Sequence, residues 1–211
     1  DTMNEAAANS FLKLLEEPPD GWLIILLASS EDKLLTTILS RVVKLRFNPL
    51  AVADVKKLLV ERGVAESESE VLARVSEGSV GTALNLNEQN ALEYRQTALS
   101  FLEALPLEFP MNYVTDRTWV VKYERAEAML FVKLLQLLLR DMLFVKTGLT
   151  VNLYNCDMQE TLATLSDGWK PQGLKKALEA VNDAYKALNT STGVKLVLEN
   201  VAMKIDNFRK E

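Results

Sequence analysis

Apolar residues in this 211-residue chain recur mostly every three or four positions, the period of a buried helix face. Near the start, Ala8, Phe11, Leu12 and Leu15 share one face, Asn4 stands where an N-cap belongs, and EEPPDG ends the run because proline cannot continue a helix. Two short stretches break the helical period. WLIILLA, residues 22–28, is continuously apolar, the pattern of a strand covered on both faces of a parallel sheet. VVKLRF, residues 42–47, reads as a second strand, with a short helix over residues 31–39 between the two. Strand, helix, strand predicts a parallel pair.

From Pro49 onward the pattern is helical throughout. Val52, Val55, Leu58 and Leu59 line one face of a helix that Gly63 stops; Val71, Leu72 and Val75 line a second; SVGTALNLN opens a third. Beyond them the spacing predicts helices at about 88–105, 115–146 (continuous or broken), 158–165, 171–188 and 192–208. Pro171 suits a first helical turn, Thr192 an N-cap, and Gly148 a stop.

Two parallel strands do not make a stable sheet. Residues 1–48 therefore read as the C-terminal part of an α/β domain, 49–87 as a three-helix unit, and 88–211 as a bundle of about five helices. The expected fold is mainly α, with a two-stranded α/β remnant at the front.

Composition narrows the chemistry. There is no histidine and one cysteine, Cys156. Within these residues that excludes a disulfide framework, a Cys/His zinc site and any Ser-His or Cys-His catalytic pair, and it fits a reducing cytoplasm. A net charge of −5 argues against strong nucleic-acid binding by this chain alone. The most apolar stretch, residues 128–146, is interrupted by Lys133, Gln136, Arg140 and Asp141, so it predicts a buried bundle helix rather than a membrane span. Within that helix, Arg140 and Asp141 read as a local structural pair.

Catalytic motifs are missing. No glycine precedes a lysine, so no G-x-x-x-x-G-K-[ST] loop occurs, and GSVG, residues 78–81, is too short and lies between two helices. The pair Glu16–Glu17 reads as a solvated helix end, because adjacent helical residues face different ways. The acidic and serine run around residues 66–70 reads as capping, and the charged end MKIDNFRKE as solvated. No self-contained active site is assigned.

Three segments, in order, carry a resemblance. NEAAANSFLKLLEEPP is similar to the "AANALLKTLEEPP" helix of the bacterial DNA polymerase III clamp-loader subunits, members of the AAA+ family. LLASSEDKLLTTILSR resembles their sensor-1 strand followed by an S-R-C motif, with Val42 in place of cysteine, and EGSVGTALNL resembles the start of their sensor-2 helix. More weakly, the bundle resembles their collar domain. The likeness implies an AAA+ remnant over 1–48, an AAA+ lid over 49–87 and an oligomerising collar over 88–211.

In that family ATP sits between ring neighbours, and the S-R-C arginine reaches into the neighbour's site. The resemblance implies that Arg41 is such an arginine finger acting in trans, with Ser40 as its motif partner. Arginine suits the task because it stays charged and offers a planar fork of donors. ATP-hydrolysing members carry a sensor-2 arginine in a G-S-x-R context; here Gly81 holds that position. Ser29 falls at sensor 1 and receives no catalytic role. The chain thus resembles the non-hydrolysing, delta-prime type of subunit. No cofactor is expected on this chain itself, ATP and Mg being held by neighbouring subunits. The implied partners are gamma/tau- and delta-type subunits, and, through the assembled complex, the sliding clamp and primed DNA; no membrane is implied. A gamma/tau-type ATPase fragment and a helical adaptor outside replication remain as alternatives.

Overall fold

The computed structural model describes residues 5–106, 123–150 and 152–210. Asn4 and the stretch 115–122, both assigned to helices from sequence, lie outside the described residues. The chain divides into two compact units, Asp1–Asn48 and Pro49–Glu211.

In the first unit, α1 (Glu5–Glu16) packs on the short α2 (Thr36–Leu39), with Ala8 and Ile38 buried. The expected helix over 31–39 is interrupted. Ser30 Oγ accepts from the Asp32 N–H and starts a 3-10 turn, Glu31–Lys33; Leu34 and Leu35 are then extended, and α2 begins afresh.

The two predicted strands do not form. Among the described residues no strand occurs, and 22–28 and 42–47 belong to no ladder. Leu23, Leu27, Val43 and Phe47 are 84–91% exposed. A β-strand exists only through hydrogen bonds to a neighbouring strand, and continuously apolar runs need cover on both faces. Neither is available here. Lys44 and Arg46 instead converge on the Glu31 carboxylate at 2.9 and 3.1 Å.

The second unit is helical. It begins with α3 (Val52–Glu61), α4 (Glu66–Val75) and α5 (Val80–Glu88). Val55, Leu59, Leu72, Val75 and Ala83 form their shared core. Gly63 turns the chain out of α3 at φ +88°. The α4–α5 corner needs two left-handed residues, Glu77 (φ 52°) and Gly78 (φ 86°). A Cβ on Gly78 would stand 2.5 Å from Pro49 Cβ and 2.7 Å from the Leu50 carbonyl oxygen, so the corner demands glycine twice over.

There follow α6 (Ala91–Glu103), α7 (Arg125–Lys146), α8 (Gln159–Asp167), α9 (Pro171–Leu188) and α10 (Val194–Lys210). α9 starts at Pro171 and ends at Leu188, as its spacing predicts. For α10 the start differs from expectation: the Gly193 carbonyl accepts from Val197 N–H, while the Thr192 hydroxyl bonds Thr190. α9 and α10 approach closely at Gly173, where a Cβ would overlap the Phe208 carbonyl.

α7 explains its own composition. A capping box between Glu124 and Glu127 starts it. Leu130 and Leu134, one turn apart, complete the three-helix core, while Phe131, Leu135, Leu138 and Met142 lie in the bundle core. Burial on two faces makes it apolar nearly all round. No helix of the described residues is long and apolar enough to cross a membrane.

The one charge in α7 without solvent contact is Asp141. Its Oδ1 takes Arg140 Nη1 at 2.8 Å, as the expected local pair. Its Oδ2 takes both the backbone N–H and the Nδ2 of Asn155, each at 2.8 Å. This pins a strap, residues 152–158, across the helices. The strap's Asp157 binds Arg95 of α6 through two 2.8 Å bonds, and its Tyr154 hydroxyl donates to Glu77 at 2.8 Å. The Arg140 guanidinium lies 4.1 Å from the Phe144 ring centroid and 4.4 Å from that of Tyr154.

Candidate functional site

The candidate site is the corner where α1 and α2 end. α1 terminates because Pro18 and Pro19 follow, leaving Glu16 as its last residue. α2 terminates at Ser40, whose N–H closes the final turn on Thr36 O at 3.0 Å. Buried Ile38 anchors α2, so Arg41 emerges from its C-terminal end, where carbonyl oxygens lack helical partners.

Arg41 meets four acceptor contacts. Its Nε and Nη2 reach the same oxygen, Glu16 Oε1, at 2.8 and 2.6 Å. Its Nη1 donates to Thr37 O at 3.0 Å and to Ser40 Oγ at 3.2 Å. Ser40 Oγ in turn donates to Thr37 O at 3.0 Å. The Arg41 and Glu16 side chains are 36% and 49% exposed. An ion pair so open to water is worth about 0–1 kcal/mol, so the guanidinium stays half-exposed and open to a further anion on its other edge.

Thus Ser40 and Arg41 are brought together, and two partners are added. Glu16 is 25 residues away in sequence, and its acidic-pair context pointed to a solvated helix end. Nothing in the spacing singled it out; only the folded α1–α2 corner does.

The other motif positions lie elsewhere. Ser29 accepts from Lys33 Nζ at 3.1 Å. Gly81 sits in the first turn of α5, after Ser79, whose Oγ caps the helix through Thr82 N–H at 3.2 Å. No atom lies within 4 Å of a Cβ built on Gly81, and its φ is not left-handed. Packing therefore does not impose glycine there, in contrast to Gly78. Among the described residues no cluster of three or more His, Cys, Asp or Glu is placed to hold a metal.

The geometry describes a mainly helical chain in which a half-exposed arginine is held by hydrogen bonds at a helix corner, with no G-x-x-x-x-G-K-[ST] phosphate loop in its sequence. The family model for DNA polymerase III, delta subunit, matches residues 1–51, and that for the C-terminal part of the delta subunit matches 89–206. The chain belongs to the DNA polymerase III delta-subunit family.

Among relatives, DNA polymerase III subunit delta' of Bacillus subtilis (strain 168) is 26% identical over 97% of this chain and 63% of its own length. Subunit delta' of Escherichia coli (strain K12) is 28% identical over 98% of this chain and 61% of its own. Subunit tau of B. subtilis is 25% identical over 94% of this chain and 40% of its own. The chain spans about three-fifths of the length of the two delta' relatives.

Proposed function

We propose that this chain serves as a delta-prime-type member of a clamp-loader ring in DNA replication. It does not hydrolyse ATP itself. It supplies Arg41 to ATP and Mg held by a neighbouring gamma/tau-type subunit, and contributes to opening the sliding clamp for loading on primed DNA. Residues 1–48 act as the AAA+ part, 49–87 as the lid and 88–211 as the collar that joins gamma/tau and delta neighbours in the cytoplasm.

The observation that carries this reading is the Ser40–Arg41 corner. It presents a half-exposed guanidinium whose only charged partner there, among the described residues, is a weakly bound surface carboxylate. As a neighbour's γ-phosphoryl leaves, charge spreads over its oxygens, and a planar cation that needs no protonation stabilises that charge. Gly81 supports the second half of the reading. Space for a larger side chain exists, yet no charge is offered to a nucleotide at the position where ATP-hydrolysing members carry arginine.

In the intact protein assembled with its neighbours, Arg41→Ala leaves ring assembly intact and abolishes the ATP turnover contributed by that interface; such a finger is worth about 10³–10⁵ in rate. Arg41→Lys, which keeps the charge but not the planar fork, recovers little. DNA-stimulated ATPase activity is the readout, and unchanged turnover in Arg41→Ala removes the role. The tau match favours a second reading, a gamma/tau-type ATPase. Equilibrium binding of ATP by the isolated full-length protein separates the two, since only the ATPase binds it in its own site.

A further inference from the structure

The contacts at the α1–α2 corner assign a role to Glu16, one that rests on the finger reading of Arg41. We infer that Glu16 is the positioning residue for Arg41: it grips one edge of the guanidinium and leaves the other edge for a phosphate oxygen of a neighbour's nucleotide.

A guanidinium has five N–H groups arranged on two usable edges, Nε/Nη2 and Nη1/Nη2. Glu16 Oε1 takes the first edge, at 2.8 and 2.6 Å. Both Nη1 contacts, at 3.0 and 3.2 Å, go to uncharged acceptors, Thr37 O and Ser40 Oγ. Four of the five N–H groups are so engaged, leaving one on Nη2. All of these bonds have an ionised donor, but only Glu16 Oε1 adds an opposite charge on the acceptor, so the bonds to Thr37 O and Ser40 Oγ are the weaker ones. An arriving phosphate therefore exchanges with Thr37 O and Ser40 Oγ first, joins the remaining Nη2 donor, and binds end-on through Nη1 and Nη2. The bonds to Glu16 survive that exchange and keep the guanidinium plane in place.

The support comes from two helix ends. Glu16 closes α1, whereas Thr37 and Ser40 belong to α2 and its cap. The buried Ala8 and Ile38 join the two helices. Long arginine side chains lose much rotamer freedom on being fixed, and here that ordering precedes the ligand. The neighbouring Glu17 is exposed and takes part in none of these Arg41 contacts, which makes it the natural control.

The test uses the intact protein assembled with its ATPase neighbours, clamp and primed DNA. Glu16→Ala lowers the turnover contributed by the Arg41 interface about tenfold, with KM for ATP little changed, because misplacement of a transition-state donor lowers kcat. Glu16→Gln, which keeps an acceptor oxygen, recovers most of the loss, and Glu17→Ala matches wild type. On an Arg41→Ala background, Glu16→Ala causes no further loss. Four results overturn the inference: wild-type turnover in Glu16→Ala, faster turnover in it (the mark of a brake), a rise in KM alone, or additive losses in the double variant. If Arg41→Ala itself is unaffected, the finger reading fails and takes this one with it; loss in Arg41→Ala beside normal Glu16→Ala defeats this inference alone.

Discussion

Asp141→Ala is the substitution with the largest predicted effect on the helical unit, and its magnitude follows from three bonds. The carboxylate is fully buried and satisfies two donors of Asn155, itself 1% exposed, at 2.8 Å each. Truncation leaves both donors dry and unpaired, at about 1–3 kcal/mol apiece. The third donor, Arg140, loses less. Its side chain is 28% exposed and remains against the Phe144 and Tyr154 rings. The sum is about 3–5 kcal/mol, in line with breaking a buried charged pair on one side. Domain stabilities are about 5–15 kcal/mol, so this is roughly a fifth of the total or more.

Urea unfolding followed by far-UV circular dichroism measures it as a fall in midpoint at constant slope. The pairing has a second signature. Asn155→Ala alone is destabilising, but the double variant loses at least about 1 kcal/mol less than the two single losses added together, because each truncation removes the same bond. A loss under about 1 kcal/mol in Asp141→Ala, or strict additivity, refutes the argument that this carboxylate pins the strap.

The two glycines of the α4–α5 corner separate in the same assay. Gly78→Ala meets left-handed backbone and Pro49, and loses about 2 kcal/mol or more. Gly81→Arg stays within about 0.5 kcal/mol of wild type, since better helix propensity offsets a cation near a helix N-terminus; equal damage at both sites makes Gly81 a structural glycine and removes its weight in the functional argument. At high pH, burial pushes the Tyr123 phenol up to about 12, against a hydrogen bond with Thr97 that pulls the other way, and burial also raises Tyr94 and Tyr154. The folded state holds these protons more tightly than the unfolded state, whose tyrosines ionise near pH ~10. The contribution is complete below that pH and is lost as pH rises toward about 12. The urea midpoint therefore falls between about pH 9 and about pH 11, less so in Tyr123→Phe; identical falls in both proteins exclude Tyr123 as a cause.

Periodicity and punctuation placed most of the helices, although the one expected over residues 31–39 is broken by a 3-10 turn and an extended step. Pro171 sets φ for a first turn and Leu188 is the last apolar position of its face, so α9 is legible residue by residue. These are local signals, written within one or two turns. The same holds for the helix stop at the prolines after Glu16 and for the pairing of adjacent Arg140 and Asp141. The motif that singled out Arg41 is likewise contiguous.

What local signals cannot carry is the identity of a partner distant in sequence. WLIILLA has the composition of a buried strand, but a strand needs a neighbour's hydrogen bonds, and residues 22–28 have none among the described residues. α7 is apolar on most sides, yet which side meets the three-helix core and which the bundle was decided by packing. Asp141 found Asn155 14 residues on, and Arg41 found Glu16 25 residues back. Local signals thus determined most of the helices, and the resemblance to a known motif pointed to the arginine. Only the tertiary structure, by bringing two helix ends together, decided which carboxylate holds it.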